Sequence, residues 1–192
     1  MNVDSKPILS VGHGTLSAED FSRLLQAAGV RSLVDIRTAP GSRRAPHFRR
    51  DEMALWLPAS DIWYRWEPAL GGFRKPIPHS PNFKLRNDSF RGYADYMQTD
   101  PFWDALDEVV AESESHSVAV MCSESVWWRC HRRLVADAIE LARSARVDHL
   151  MHDGRRTPHP VTEGARLTET GRVVYDGGEV SLLPPTPGEF GR

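Results

Sequence analysis

Three short, almost continuous apolar segments constrain the fold of this sequence most strongly. They cover residues 8–11, 32–36 and 117–121, and each is followed by a polar loop and then by a segment with helical spacing of apolar residues. An apolar run without alternation is typical of a strand that is buried on both faces of a parallel sheet. Strand, loop and helix in this order form βαβ units, which place helices on both faces of the sheet. The sequence therefore predicts a three-layer α/β fold with a mainly parallel sheet.

Capping residues and prolines set the expected helix boundaries. Ser17 supplies an N-cap and Gly29 a C-cap for the first helix. Ser89 is expected to cap a second helix, and Pro101 opens another at its first turn. A last helix is predicted to begin near residue 128. The other predicted elements are a short helix from residue 51, strands at 62–66, 147–151 and 172–175, and a long loop at 68–87.

The chain length of 192 residues suits one α/β domain followed by a tail. We expect residues 1–152 to form the domain and residues 153–192 to be a C-terminal extension that contains a short hairpin or is partly disordered. No apolar run approaches the roughly 20 residues that a membrane span requires, and the first ten residues lack a signal-peptide pattern. These features predict a cytoplasmic protein without a membrane partner, and they leave the oligomeric state open.

Reactive and charged side chains follow the predicted strands directly. His13 follows the first strand, Asp35 and Arg37 end the second, and residues 122–132 follow the third. Ligands of parallel α/β sheets bind beyond the carboxyl ends of the strands. We therefore expect these groups to form one crevice, although they are distant in sequence.

Cys122 lies between a buried strand and a predicted helix. The N–H groups of a helix N-terminus, together with nearby arginines, lower the pKa of a thiol. Cys122 is therefore a candidate nucleophile or redox residue, and the alternative is a small buried core residue. Rhodaneses and tyrosine phosphatases have a similar strand, cysteine loop and helix. Six residues separate Cys122 from Arg129, one more than in tyrosine phosphatases, which disfavours phosphatase activity.

Three side chains are candidates for proton transfer in this crevice. Glu124 is a candidate general acid or base, and the alternative is an ion pair with a neighbouring arginine. His13 and His131 are candidates for the same role. His131 shares a predicted helix face with Leu134, so its alternative is a packed histidine whose ring binds the backbone.

The two cysteines, Cys122 and Cys130, allow two further alternatives. With His13 and His131 they are chemically sufficient for a tetrahedral zinc site. The spacing lacks a Cys-x2-Cys or His-x3-His pair, however, and adjacent residues of a helix, as Cys130 and His131 would be, point to different sides. We therefore assign no metal ligand and leave the cofactor open. The second alternative is a reversible disulfide between the two cysteines.

Arginine dominates the basic residues, because only three of the 24 are lysines. A codon preference would produce this excess, and so would the binding of planar anions, which guanidinium groups bind through two parallel hydrogen bonds. The candidate substrate-binding residues are Asp35, Arg37, Ser42, Arg43, Arg129 and Arg132. The arginines of residues 43–50 and the tryptophans favour an alternative, nucleic-acid-binding function. The formal net charge of -2 lacks the basic excess typical of such proteins.

Several short motifs together resemble the family called domain of unknown function 488. They are residues 11–14, 33–37, 70–72, 118–124, 130–132 and 148–150, and the resemblance covers about residues 8–165. It implies a compact α/β fold and a site at the motif positions, but no reaction. The motif positions are His13, Asp35, Arg37, Pro40, Ser42, Gly71, Gly72, Cys122, Glu124, Cys130, His131 and Arg132. Gly14 stands where many relatives have serine, and the loop carries Trp127 and Trp128, so substrate contacts are expected to differ.

These features predict an enzyme or ligand-binding protein whose crevice takes a small anionic or nucleotide-like substrate. Arg37 and Arg132 would hold the anion, and Cys122 would be a thiol nucleophile or redox residue. His13 or His131, with Glu124, would transfer protons. A cysteine-dependent transferase or hydrolase is the enzyme class that fits this set. The alternatives are a nucleic-acid-associated module and a Cys/His metal-binding protein.

Overall fold

The computed structural model describes residues 6–41 and 43–178, and its centre is a six-stranded sheet. The strands are β1 (Ile8–Gly12), β2 (Ser32–Asp35), β3 (Trp63–Trp66), β4 (Val118–Cys122), β5 (Val147–Leu150) and β6 (Arg156–Pro158). They lie in the order β3-β2-β4-β1-β5-β6, with the first five parallel and β6 antiparallel to β5. The prediction of a mainly parallel sheet is confirmed.

Helices cover both faces of this sheet. They are α1 (Ala18–Ala27), α2 (Arg50–Trp56), α3 (Asp88–Tyr96), α4 (Asp100–Ser115) and α5 (Arg132–Arg143). Phe21 of α1 and Met53 of α2 pack on one face, whereas α3, α4 and α5 pack on the other. This arrangement confirms the three predicted layers. Within the described ranges, none of the helices has the length and apolar character needed to cross a membrane.

Burial explains the continuous apolar character of β1, β2 and β4. Every residue of these three strands is buried. Ile8 and Val34 belong to the core on the α3–α5 side, while Leu9 and Leu33 belong to the core on the α1–α2 side. Successive side chains of a strand alternate between its faces. A strand that is covered on both faces therefore needs apolar residues at almost every position.

Two helix boundaries differ from the sequence predictions. Asn87, and not Ser89, caps α3, since its side chain accepts hydrogen bonds from the N–H groups of Ser89 and Phe90. The last helix, α5, begins at Arg132 rather than near residue 128. A single 3-10 turn precedes it, and Cys130 then has extended backbone with φ -127° and ψ 150°. The segment between β4 and α5 is therefore mostly loop, which changes where its side chains point.

After β6 the chain returns to the α3–α5 face as a hairpin of β7 (Ala165–Leu167) and β8 (Val173–Tyr175). Tyr175 is fully buried in the core on this face. Its hydroxyl donates a hydrogen bond of 2.8 Å to Asp137 of α5. The hairpin is thus joined to the core by both apolar and polar contacts. Residues 179–192 of the expected C-terminal extension lie outside the described residues.

Candidate active site

A cavity of about 440 Å³ opens beyond the carboxyl ends of β1, β2 and β4. His13, Arg37 and Cys122 reach it from these three strand ends. The facing wall consists of the loop before α3, including Gly72, and of aromatic side chains from α3, including Tyr93. The strand order therefore brings together groups that are far apart in sequence.

Two cysteines and a histidine form a compact cluster in the wall of this cavity. The Nδ1 atom of His131 lies 3.9 Å from Sγ of Cys122 and 3.7 Å from Sγ of Cys130. The two sulfurs and Nδ1 all lie within 4.8 Å of one another. Both cysteines are free and buried. Cys130 has extended backbone, and its side chain lies beside the ring of His131, an arrangement that the predicted continuous helix disfavours.

The hydrogen bonds of His131 fix its tautomer. Nε2 lies 3.0 Å from the carbonyl oxygen of Ile36, and since a carbonyl only accepts, Nε2 carries the proton. In the neutral ring Nδ1 is then an unprotonated acceptor that faces both sulfurs. Gly72 closes over this atom, because a Cβ at that position would lie 2.9 Å from Nδ1. The ring is therefore held in one orientation from two sides.

The pKa values of the two thiols are shifted in opposite directions. A hydrogen bond from Cys122 lowers the pKa of Cys130 to about 6, against the effect of burial and with help from the positive charge of Arg132. The same hydrogen bond, followed by burial, raises the pKa of Cys122 well above its ordinary value. From the sequence, Cys122 and not Cys130 is the predicted reactive cysteine; in the structure the two lie side by side.

Arg132 lies beneath the cysteine loop and does not line the cavity. It is 1% exposed, and its guanidinium donates to the Ser10 hydroxyl at 3.3 Å and to the carbonyl of Glu124. Its Nε has no hydrogen-bond partner among the described residues. Gly12 is needed for this contact, because a Cβ there would lie 1.8 Å from the carbonyl oxygen of Glu124. The structure thus places Arg132 as a support of the loop, away from the anion-holding position predicted from sequence.

Asp35, Arg37 and His13 form a second buried group beside the cluster. Arg37 donates to both carboxylate oxygens of Asp35, at 2.8 and 2.5 Å, and lies 3.3 Å from Nε2 of His13. Nδ1 of His13 lies 3.0 Å from the carbonyl oxygen of Gly14, so both ring nitrogens are engaged. Burial, and then the charge of Arg37, lower the pKa of His13 to about 4. The ring also stacks on Phe48 with centroids 4.0 Å apart. Both nitrogens of His13 are therefore engaged, and its surroundings favour the neutral ring.

Arg129 and Glu124 supply two exposed charges at the cavity. Neither side chain forms an ion pair or hydrogen bond with any part of the chain that the structure describes. Ser42, a predicted substrate-binding residue, lies outside the described residues. Arg43 is exposed and does not line the cavity. Of the arginines predicted to contact substrate, Arg129 is therefore the one that lines the cavity without a charged partner among the described residues.

The aromatic wall was not found by sequence reasoning. Phe73, Phe90 and Tyr93 line the cavity. Phe73 is 95% exposed and has a positive φ of 58°. The signals in the sequence were the long Gly- and Pro-rich loop and the Gly71-Gly72 pair, which mark a functional segment without showing which elements it faces.

Residues 43–50 do not line the cavity themselves, although Phe48 of this segment stacks on His13, which does. The Arg50 guanidinium lies 4.6 Å from the ring of Trp66, and the Trp66 indole donates to the carbonyl of Arg37 at 2.7 Å. Trp127 stacks on His149 with centroids 4.1 Å apart. These two tryptophans are therefore held by protein contacts. Nucleic-acid binding by this segment stays a prediction.

Comparison with known proteins adds a family and no activity. No curated protein and no solved structure matches the chain significantly. The model of the family described as "Domain of unknown function DUF488" matches residues 17–139. This range contains Asp35, Arg37 and the whole cysteine loop, and it begins after His13. Because the match spans well over half of the sequence, the chain belongs to the DUF488 family.

Proposed function

We propose that the protein is an enzyme that acts on a small anionic substrate bound in this cavity. One observation carries the proposal: the Cys122, Cys130 and His131 cluster lies in the same cavity as two charges, Arg129 and Glu124, that have no partner among the described residues. Both charges are exposed, so water solvates them and a bound ligand can replace that water. A guanidinium left unpaired beside a reactive cluster is suited to bind an anion.

The side chains divide into binding, reacting and supporting groups. Arg129 binds the anionic group of the substrate through two parallel hydrogen bonds. Glu124 is the general acid or base, because its carboxylate is free to approach a bound ligand. The sulfur and imidazole cluster is the reacting centre. A cavity of about 440 Å³ suits a small molecule, since ligand sites are typically about 300–1,000 Å³ in volume.

The buried arginines act as positioning residues in this proposal. Arg37 holds His13 and the end of β2, and Arg132 holds the carbonyl of Glu124. Arg37 is 6% exposed and Arg132 is 1% exposed, so in this proposal both act mainly by holding the site in place. Transfer or hydrolysis at an electrophilic atom of the anion is the reaction class that fits a sulfur-containing centre with a nearby carboxylate.

Binding of inorganic phosphate and turnover of p-nitrophenyl phosphate test this function. Arg129→Gln is expected to weaken phosphate binding about 10-fold, because one charge-assisted pair is lost. Glu124→Gln is expected to retain phosphate binding and to lose most turnover. Arg23→Gln, which removes an exposed arginine of α1 that pairs with Glu19, is the matched control and should behave like the wild type. Binding that is absent, or equal in the wild type and Arg129→Gln, contradicts the proposal.

A further inference from the structure

We propose that Cys122, Cys130 and His131 bind a thiophilic divalent metal ion, with zinc as the best fit, and that the remaining coordination position opens into the cavity. The inference rests on the proposed function, since it names the cofactor of the same site. It adds that the two sulfurs act as metal ligands, and that the anionic substrate meets the metal beside Arg129.

The sulfur–nitrogen distances within the cluster are close to those between two ligands of a tetrahedral zinc ion. With Zn–S bonds of about 2.3 Å and a Zn–N bond of about 2.0–2.1 Å, tetrahedral angles separate sulfur and nitrogen by about 3.6 Å. The observed separations of His131 Nδ1 from the two sulfurs are 3.9 and 3.7 Å. These two separations therefore exceed the tetrahedral value by only a few tenths of an ångström, and the two sulfurs lie within 4.8 Å of each other, where tetrahedral geometry places them about 3.8 Å apart.

The second ring nitrogen of His131 has the partner that a metal-binding histidine needs. Histidine ligands commonly donate their other N–H to a carbonyl or carboxylate, which fixes the tautomer and the ring plane. Nε2 of His131 does so to Ile36, leaving the Nδ1 lone pair directed at the sulfurs. Without a metal ion this lone pair can accept a weak hydrogen bond from a thiol, and it becomes a metal ligand when both thiols lose their protons.

The charges of the cluster also fit a bound cation. A divalent ion with two thiolates and a neutral imidazole is electrically neutral, so it can be buried at low cost. Two sulfurs and one nitrogen select zinc or another thiophilic ion over magnesium, calcium or manganese, which prefer oxygen ligands. The positive charge of buried Arg132 favours the thiolate form of Cys130 further.

The number of ligands points to a catalytic rather than a structural site. Among the described residues, the cluster contains Cys122, Cys130 and His131 and no fourth ligand side chain. Structural zinc sites are closed by four protein ligands, whereas catalytic sites have three and keep one position open. All three residues line the cavity, so the open position would face the cavity that Arg129 and Glu124 also line.

Metal titration of the full chain, produced without a histidine tag and stripped of metal under reducing conditions, tests the site. Zinc is expected to bind at one equivalent in competition with a chromogenic chelator, and Co²⁺ is expected to give the sulfur-to-cobalt absorption of a tetrahedral site. Cys130→Ser and His131→Gln should each lose roughly 100-fold or more in zinc affinity. His116→Gln, which changes a histidine that binds Glu112 on the far side of the sheet, should retain the wild-type affinity.

Three outcomes overturn the inference. They are zinc binding far below one equivalent, equal affinity in the wild type and His131→Gln, and a reduced protein that forms a Cys122–Cys130 disulfide in air but takes no metal after reduction. His131→Gln leaves both cysteines in place, so it remains informative if the serine variant does not fold.

The two proposals fail separately. Phosphate binding that depends on Arg129 without metal binding retains the proposed function and rejects the metal. Zinc binding at one equivalent, together with phosphate binding that is equal in the wild type and Arg129→Gln, retains the metal site and rejects the proposed function.

Discussion

Two histidines of the cavity differ in what their ring nitrogens can do. His13 has both nitrogens engaged, by Arg37 and by the Gly14 carbonyl, whereas His131 keeps Nδ1 free for the two sulfurs. The sequence made both residues equal candidates for proton transfer. The sequence alone does not distinguish the two roles. The groups that fix the tautomers, Arg37 for His13 and the Ile36 carbonyl for His131, lie at the end of β2, far from both histidines in sequence.

Gly72→Ala is expected to weaken zinc binding about 10-fold or more while leaving the fold intact. The added Cβ would lie 2.9 Å from Nδ1 of His131 and 3.3 Å from its Cγ, so the ring must turn away from the sulfurs. Competition titration measures the affinity, and circular dichroism checks the fold. Gly41→Ala is the control, because its Cβ meets no atom within 4 Å. Equal affinities in the two variants would show that Gly72 does not hold the ring.

At the scale of elements, the start of α5 decides the geometry of the site. The sequence predicted the strands well, because β1, β2 and β4 are buried on both faces and show it in their composition. It placed Cys130 and His131 in the first turn of a helix, where adjacent side chains diverge. The 3-10 turn and the extended Cys130 before α5 bring them together instead. Such a local departure from helical geometry leaves no periodic pattern of apolar residues in the sequence by which it could be predicted.

A single carboxylate of α5 joins the C-terminal segments to the core. Oδ1 of Asp137 accepts hydrogen bonds from His159 at 2.9 Å and from the N–H of Thr162 at 2.7 Å, and Oδ2 accepts the hydroxyl of Tyr175. Both side chains of the His159–Asp137 pair are completely buried. Loss of this carboxylate would therefore leave several donors buried without partners.

Asp137→Ala is expected to lower the free energy of unfolding by more than about 3 kcal/mol, since each unsatisfied buried donor costs roughly 1–3 kcal/mol. Urea unfolding measures the change, and amide hydrogen exchange should show the β7–β8 hairpin opening first. Asp107→Ala removes a carboxylate that pairs with Arg143 and is 53% exposed, so it should cost less than about 1 kcal/mol. A loss in Asp137→Ala as small as that of the control would mean that apolar packing alone holds the hairpin.

At the scale of the whole molecule, the layered architecture followed from the sequence but the order of the strands did not. Apolar runs separated by helices require a sheet covered on both faces. The neighbours of a strand depend on pairing between distant segments of the chain. For example, β1 lies between β4 and β5, and both of these strands are more than 100 residues from β1 in sequence. The membership of the cavity depends on that order. Sequence reasoning therefore placed Cys122 and His13 at one edge, but not the wall formed by α3.

The same tertiary packing makes global stability depend on pH through buried His149. Its Nε2 binds His159 at 3.0 Å, Trp127 stacks on its ring, and Arg132 adds a positive charge nearby. Burial, followed by His159 and Arg132, lowers its pKa to about 3. Beyond His159 lies Asp137, which binds that second ring. The folded state thus keeps His149 neutral at pH values where the unfolded chain, with a histidine pKa of about 6.5, binds a proton.

Stability is therefore expected to be complete above about pH 6.5 and to be lost as the pH falls toward the folded pKa. His149 contributes a slope of about 1.4 kcal/mol per pH unit over most of that interval. Urea unfolding of the wild type and of His149→Gln at pH 7.0, 5.5 and 4.5 isolates this contribution, because all other titrating groups are shared. The variant is less stable at pH 7 but should have the shallower pH dependence. His79→Asn, at an exposed loop position, should retain the wild-type slope. Parallel curves for the wild type and His149→Gln would mean that His149 takes up its proton in the folded protein.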